Sequence, residues 1–157
     1  MKIILLTVGK TQTEYLRKAI DDYFTKINHY IPAESISVAD IKAGKQMPVE
    51  ERKAKEGDAI LSMLQPSDRI VLLDEKGKEF TSVEFASFIE KQAAGGYKRL
   101  VFIIGGPYGF SQSVRDASHA SVSLSRMTFS HEMVRLFFAE QLYRAMTILC
   151  GEPYHHE

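Results

Sequence analysis

The stretch RLVFIIGGPYGFSQ, residues 99 to 112, sets five apolar residues, Leu100 to Ile104, against a loop holding Gly105, Gly106, Pro107 and Gly109. Glycines at the end of a buried strand let main-chain groups approach a ligand with no side-chain bulk between them. Phosphate binding is the first chemistry to test. A P-loop needs Gly-Lys-Ser/Thr leading into a helix, whereas Gly109 is followed by Phe110 and Ser111. The dinucleotide fingerprint fits no better, because it follows the first strand of its unit and this loop lies late in the chain. There is no Gly-x-Ser-x-Gly elbow, and His29, His119, His131, His155 and His156 show no metal-ligand spacing apart from the adjacent last two. Hydrolase and metal chemistry therefore lose their footing, and no metal site is expected. Two readings of the loop stay open: a flat or compact ligand held by main chain, or a tight turn holding nothing.

A second stretch, SLSRMTFSHEMVR from Ser123 to Arg135, has small hydroxyl residues, then Arg126-Met127-Thr128-Phe129, then His131 at a helix start. Peptide groups in such a loop can face a ligand, and Ser130 is a candidate cap for the helix that follows. The single cysteine, Cys150, excludes an internal disulfide; its apolar helical setting predicts a packed thiol.

These loops need elements to hold them. Lys2 to Val8, Arg69 to Asp74 and Arg99 to Ile104 are apolar runs of strand length, the pattern of strands covered on both faces. SISVAD, Ser35 to Asp40, alternates as a half-covered strand would, and ASVSLS, Ala120 to Ser125, is a weaker candidate. Between them, Glu14 to Ile31 repeats apolar residues at helical spacing until Pro32, and Val49 to Leu64 predicts a helix whose EERKAKEGD run is a solvated face. EKGKEF reads as a turn into a further helix with Thr81 and Ser82 as candidate caps, stopped by Gly95 and Gly96. KAGKQMP, after Asp40, reads as a mobile loop bordering a site.

The last helix, about His131 to Cys150, is apolar on more than one face, so a second surface, another subunit, is expected to cover it. Glu140 and Arg144 are spaced to pair along it. Alternation of strands and helices predicts an α/β fold, a mainly parallel sheet with helices on both faces, in one domain over 1–157. Ligands in such sheets bind beyond the carboxyl ends of the strands, which points to the loops after Val8, Asp74 and Ile104.

With 45% hydrophobic and 25% charged residues, the chain has the composition of one globular domain. No apolar run approaches the roughly 20 residues of a membrane helix, and MKIILLTVGK lacks a small-residue cleavage site, so a cytoplasmic protein without membrane contact is expected. Twenty basic and twenty acidic residues cancel, which argues against a strong global field for nucleic acid and leaves room for local patches.

TVGK at the amino end, KEG at 55–57, LD..GK at 73–78, IGGPYG at 104–109, LSRMTFSHEMVR at 124–135, EQLYRA at 140–145 and terminal PYHHE occur in this order. Together they resemble the ribosomal RNA large subunit methyltransferase H family, a compact member of the SPOUT class, over nearly the whole chain. The resemblance implies an enzyme that uses S-adenosylmethionine to methylate N3 of a pseudouridine in 23S ribosomal RNA within the ribosome, with no DNA partner. It also implies a homodimer with a carboxyl-terminal trefoil knot. Its cofactor pocket falls on Leu73, Gly105 and Leu124, Ser125, Arg126, Met127, Thr128 and Phe129, three groups at carboxyl ends of strands, in agreement with the general rule for such sheets.

The acceptor N3 carries a proton between two carbonyls, so it must be deprotonated or its anion stabilised. Under the resemblance this falls to Tyr154 and His155 of the tail, with Arg135 or His131 supplying positive charge or donors. Local positive charge for RNA would come from Lys10, Arg17, Lys18, Arg126 and the tail. Two departures from the family pattern stand out. Ser130 replaces a common proline, and His156 replaces a basic residue, which weakens the tail's expected hold on RNA phosphate. The alternatives are a non-catalytic ribosome-associated RNA-binding module, which would bind without transferring methyl, and a dehydrogenase-like nucleotide binder.

Overall fold

The computed structural model describes residues 1–41 and 46–156. The first part of the KAGKQMP loop lies outside the described residues. Among the described residues five strands form one sheet: β1 (Lys2–Val8), β2 (Ala33–Val38), β3 (Arg69–Glu79), β4 (Arg99–Ile104) and β5 (Ala120–Ser123). Their spatial order is β2-β1-β4-β3-β5, and every pairing is parallel. The helices are α1 (Glu14–Ile27), α2 (Val49–Ser62), α3 (Ser82–Ala94), α4 (Gln112–Ala117) and α5 (Met133–Leu149).

Because successive residues of a strand point to opposite faces, each central strand feeds two cores. Ile3, Leu5, Val71, Leu73, Leu100, Phe102 and Ile104 pack with α1, α3 and α5 on one side. Ile4, Leu6, Ile70, Leu72, Val101 and Ile103 pack with α2 and α4 on the other. This double burial is why these strands are unbroken apolar runs.

Several boundaries differ from the sequence expectation. Helix α1 stops at Ile27, before Ile31, because the Asn28 side chain donates to Phe24 O and Ala33 O and accepts from Ala33 N, turning the chain into β2. EKGKEF does not turn: β3 runs on to Glu79, pairing Lys78 and Glu79 with Val122 and Ser123 after a register shift. Gly77 permits this, since a Cβ there would lie 2.7 Å from the backbone of Ser121. The capping box of α3 uses Thr81 with Glu84, not Ser82. Helix α4 has no counterpart in the sequence reading. The EERKAKEGD face is only partly solvated, because Glu56 is buried.

Helix α5 lies on the sheet between α1 and α3. These neighbours bury Phe138, Ala139, Leu142, Ala145 and Met146 within the chain, so its excess of apolar residues is largely covered without a second subunit; Phe137 and Leu149 remain exposed. Cys150 is exposed, contrary to the packed thiol expected, because it caps the carboxyl end of α5 beyond the last packed turn. The Glu140–Arg144 pair forms as spaced.

Candidate active site

Beyond the carboxyl ends of β3, β4 and β5 lies a cavity of about 670 Å³, within the range of small-molecule sites. Leu73 and Asp74 form one wall at the end of the regular part of β3. Ile104 to Phe110 form the second, and Leu124, Ser125, Met127, Thr128, Phe129 and Ser130 the third, with His131 and Val134 closing the end. The loop after Val8 does not reach this cavity, because β4 and β3 stand between β1 and β5 in the sheet.

The glycine wall is made of backbone for steric reasons. A Cβ on Gly105 would lie 3.0 Å from the Phe110 ring, and one on Gly106 would meet the Glu56 carboxyl group. Gly109 turns the loop with φ +84°, a conformation side chains disfavour, and its N–H donates to Gly106 O. The third wall is tied internally: Ser123 Oγ donates to Ser125 O at 2.9 Å, and Ser125 Oγ accepts from Met127 N at 3.0 Å. Ser130 Oγ accepts from Met133 N at 3.2 Å, so the serine closes the turn that leads into α5, while the N-cap position itself is held by Glu132.

Glu132 reaches across to α1, where its carboxylate accepts from Thr13 N at 2.9 Å. Main-chain hydrogen bonding holds its pKa below the ordinary value. The N–H of Thr13, which precedes the first turn of α1, is thereby satisfied from the residue that opens α5, and the two helix starts are linked.

Of the residues singled out, Leu73, Gly105, Leu124, Ser125, Met127, Thr128, Phe129 and His131 come together around the cavity. Arg126 does not line it; its side chain is 84% exposed and lies 3.4 Å from Glu79. Arg135 is 3% exposed and faces inward, with Nη2 donating to Val8 O at 2.8 Å and Nη1 to Thr11 Oγ1 at 3.0 Å. Burial lowers its pKa, with Glu132 and Asp40 opposing. It tethers the end of β1 and, in this chain, points away from the cavity.

Tyr154 and His155 also lie off the cavity, folded back on α5. Tyr154 Oη donates to Glu140 Oε1 at 3.0 Å, and its ring lies edge-on to Tyr143 and 4.8 Å from the Arg144 guanidinium. Burial, then hydrogen bonds with Tyr23 and Glu140, push its pKa well up. Nη1 of Arg144 lies 3.2 Å from His155 Nδ1; since guanidinium only donates, Nδ1 accepts. The cavity rim also carries Lys53, Lys76 and Arg115, with Arg115 paired to Asp74 at 2.9 Å. Sequence reasoning missed these cations because they come from α2, the far end of β3 and the unforeseen α4. Asp74, at the end of an apolar run, was the one available signal.

Among the described residues no helix is long and apolar enough to cross a membrane. Residues 1–155 match the family described as "Predicted SPOUT methyltransferase". The chain is 55% identical to the ribosomal RNA large subunit methyltransferase H of Parabacteroides distasonis. It is 54% identical to that of Bacteroides fragilis and 52% to that of Porphyromonas gingivalis, with all of both chains covered in each case. A parallel α/β sheet, a cavity at its strand ends and a family match over almost the full length lead to one conclusion: the chain belongs to the SPOUT methyltransferase family.

Proposed function

We propose that this protein transfers the methyl group of S-adenosylmethionine to N3 of a pseudouridine in 23S ribosomal RNA of the assembled ribosome, as a cytoplasmic homodimer with a carboxyl-terminal trefoil knot. The observation that carries this is the meeting of Leu73, Gly105 and residues of the 124–129 loop around one cavity, in a chain 52% to 55% identical over its full length to the three relatives above, which are named for ribosomal RNA methylation.

The residues present fit the cofactor. The cavity has the volume for it, and two of its glycines stand where a Cβ would crowd Phe110 or Glu56, so their wall offers peptide groups. Leu73, Gly105, Leu124, Ser125, Met127, Thr128 and Phe129 would hold it, with Arg126 taking part through its main chain. When bound, the cofactor supplies an activated methyl group for in-line displacement. The protein's own task is to align the acceptor nitrogen and stabilise its anion. His131, at the cavity and near the start of α5, supplies a donor. Tyr154, kept protonated by its raised pKa, acts as a hydrogen-bond donor and not as a base. Its place beside α5, off its own chain's cavity, supports a dimer in which each tail serves the partner's site. Arg135 acts through the end of β1, and the exposed Lys10, Arg17, Lys18 and Arg126 provide local positive charge for RNA.

The test is transfer of radiolabelled methyl from S-adenosylmethionine to ribosomes lacking the modification, followed by mapping of the labelled nucleotide. Label at a pseudouridine N3 is expected; no transfer, or label elsewhere, overturns the assignment. Wild-type rates in both Tyr154→Phe and His155→Ala remove the tail from the chemistry, and full activity in a sedimenting monomer removes the dimer.

A further inference from the structure

One buried carboxylate has no part in the chemistry above. Glu56 of α2 is 2% exposed, and among the described residues neither of its oxygens accepts a hydrogen bond. Among the described residues its ion-pair partner is Arg52, one helical turn earlier, whose Nε lies 3.5 Å from Oε1 and, among the same residues, is itself buried without a hydrogen-bond partner. Burial raises the Glu56 pKa; Arg52 opposes this and Asp40 adds to it. A pair of this kind contributes little to folding, since apolar side chains of similar volume in its place are commonly neutral or stabilising. A buried charge with unused lone pairs needs another explanation.

The neighbours supply one. Glu56 stands so close behind Gly106 that a Cβ on that glycine would lie 2.9 Å from the carboxyl carbon. The Arg52 guanidinium is 5.5 Å from the Tyr108 ring. A Cβ on Gly57 would lie 3.1 Å from Cβ of Ser111, the cap of α4. Positions 52 and 56 share a helical face, and Gly57 adjoins it, so α2 grips the loop near its start, at its middle and just past its end. Gly106 and Tyr108 line the cavity on the other side.

We propose that Glu56 is a positioning residue for the cofactor loop: its carboxylate braces the Gly105–Gly109 main chain in the binding-competent shape and accepts amide hydrogen bonds from that loop when the cavity is filled. This rests on the cavity being the S-adenosylmethionine site. The ionised form is the better acceptor, so affinity rises with pH as Glu56 loses its proton. Among the described residues, the charged groups that act on it are Arg52 on its own helix and Asp40 after β2, and Tyr108 of the loop lies over the Arg52 guanidinium.

The experiment is calorimetric titration of the full-length protein, Glu56→Gln and Glu56→Met with S-adenosylmethionine and with its demethylated product, from about pH 5 to about pH 8, beside thermal unfolding of each. The variants are expected to unfold at or above the wild-type temperature, bind roughly tenfold more weakly through loss of a charged hydrogen bond, and lose the pH dependence. A packing residue would instead lower stability and affinity together. If both fall, the pH profile decides: a wild-type affinity that varies with pH beside flat variants upholds the proposal, and a flat wild-type profile overturns it. Variants that bind as tightly as wild type overturn it alone. A wild-type chain that binds neither compound overturns the cofactor reading and this proposal with it.

Discussion

Replacing Gly105 with valine tests whether the glycine loop and Phe110 form one wall of a ligand site. The added Cβ would lie 3.0, 3.2 and 3.3 Å from Cε1, Cδ1 and Cζ of Phe110, closer than side chains normally pack. The ring cannot retreat easily: it is 5% exposed, and Arg115, held by Asp74 at 2.9 Å, lies 5.6 Å from its centre. Overpacking of this kind costs about 1–3 kcal/mol, and each kcal/mol moves the midpoint of a chain this size by about 2–4 °C. A fall in Tm of roughly 2–12 °C is expected, with the protein folded at 25 °C. The displaced ring and the valine methyls take space from the cavity, so affinity for S-adenosylmethionine should drop by about a hundredfold, some 2.7 kcal/mol. Calorimetric titration and thermal melts measure both. The double variant Gly105→Val with Phe110→Leu should regain much of the lost Tm and part of the affinity. Wild-type affinity in folded Gly105→Val refutes the reasoning, because the cavity wall would then tolerate what its geometry forbids.

Two other residues give independent checks. Arg135→Met removes the tether to Val8 and Thr11 and should lower stability by about 2–3 kcal/mol, read as Tm; Arg135→Lys should recover little, because an ammonium lacks the fork that reaches both acceptors. A wild-type melting curve for Arg135→Met would show the tether to be idle. Glu132, with its pKa held below the ordinary 4.5, stabilises the fold above that value, and the contribution fades as pH falls through its folded-state pKa. In urea titrations at successively lower pH, Glu132→Gln should start less stable near neutrality and lose less than wild type on acidification. Parallel losses in the two proteins would rule out the carboxylate bond to Thr13 as an acid-sensitive link.

The strands were readable because burial on both faces leaves one chemical signature, an unbroken apolar run, and β1, β3 and β4 all carry it. The rule that ligands sit at strand ends located two of the three cavity walls directly. What stayed hidden depends on contacts between distant residues. Helix α4 buries only Val114 and so has no periodicity to detect. Its Arg115 could not be placed at the cavity rim. The extension of β3 through Lys78 and Glu79 is decided by its partner β5 and not by its own polar sequence. In the sequence Glu56 belongs to a solvated face and Arg135 reads as a cation for the chemistry; only the approach of Gly106 to one and of Val8 to the other gives them their setting. The tail's position on α5 comes from single side-chain bonds, which no local pattern announces.

The strand order carries a consequence for how the molecule is made. β1 pairs on one side with β2, close by in sequence, but on the other with β4, joining Lys2 to Arg99. During synthesis the first strand therefore presents one apolar, unpaired edge until the chain has been extended past Ile104. Contacts of such long sequence separation slow folding, because the loop must close before the pairing can reward it. The cavity inherits this schedule: most of its lining residues follow β3 in the chain, so it assembles in the same late event that completes the sheet. A nascent chain halted before β4 would carry an open strand edge, a substrate for chaperones and a hazard for aggregation.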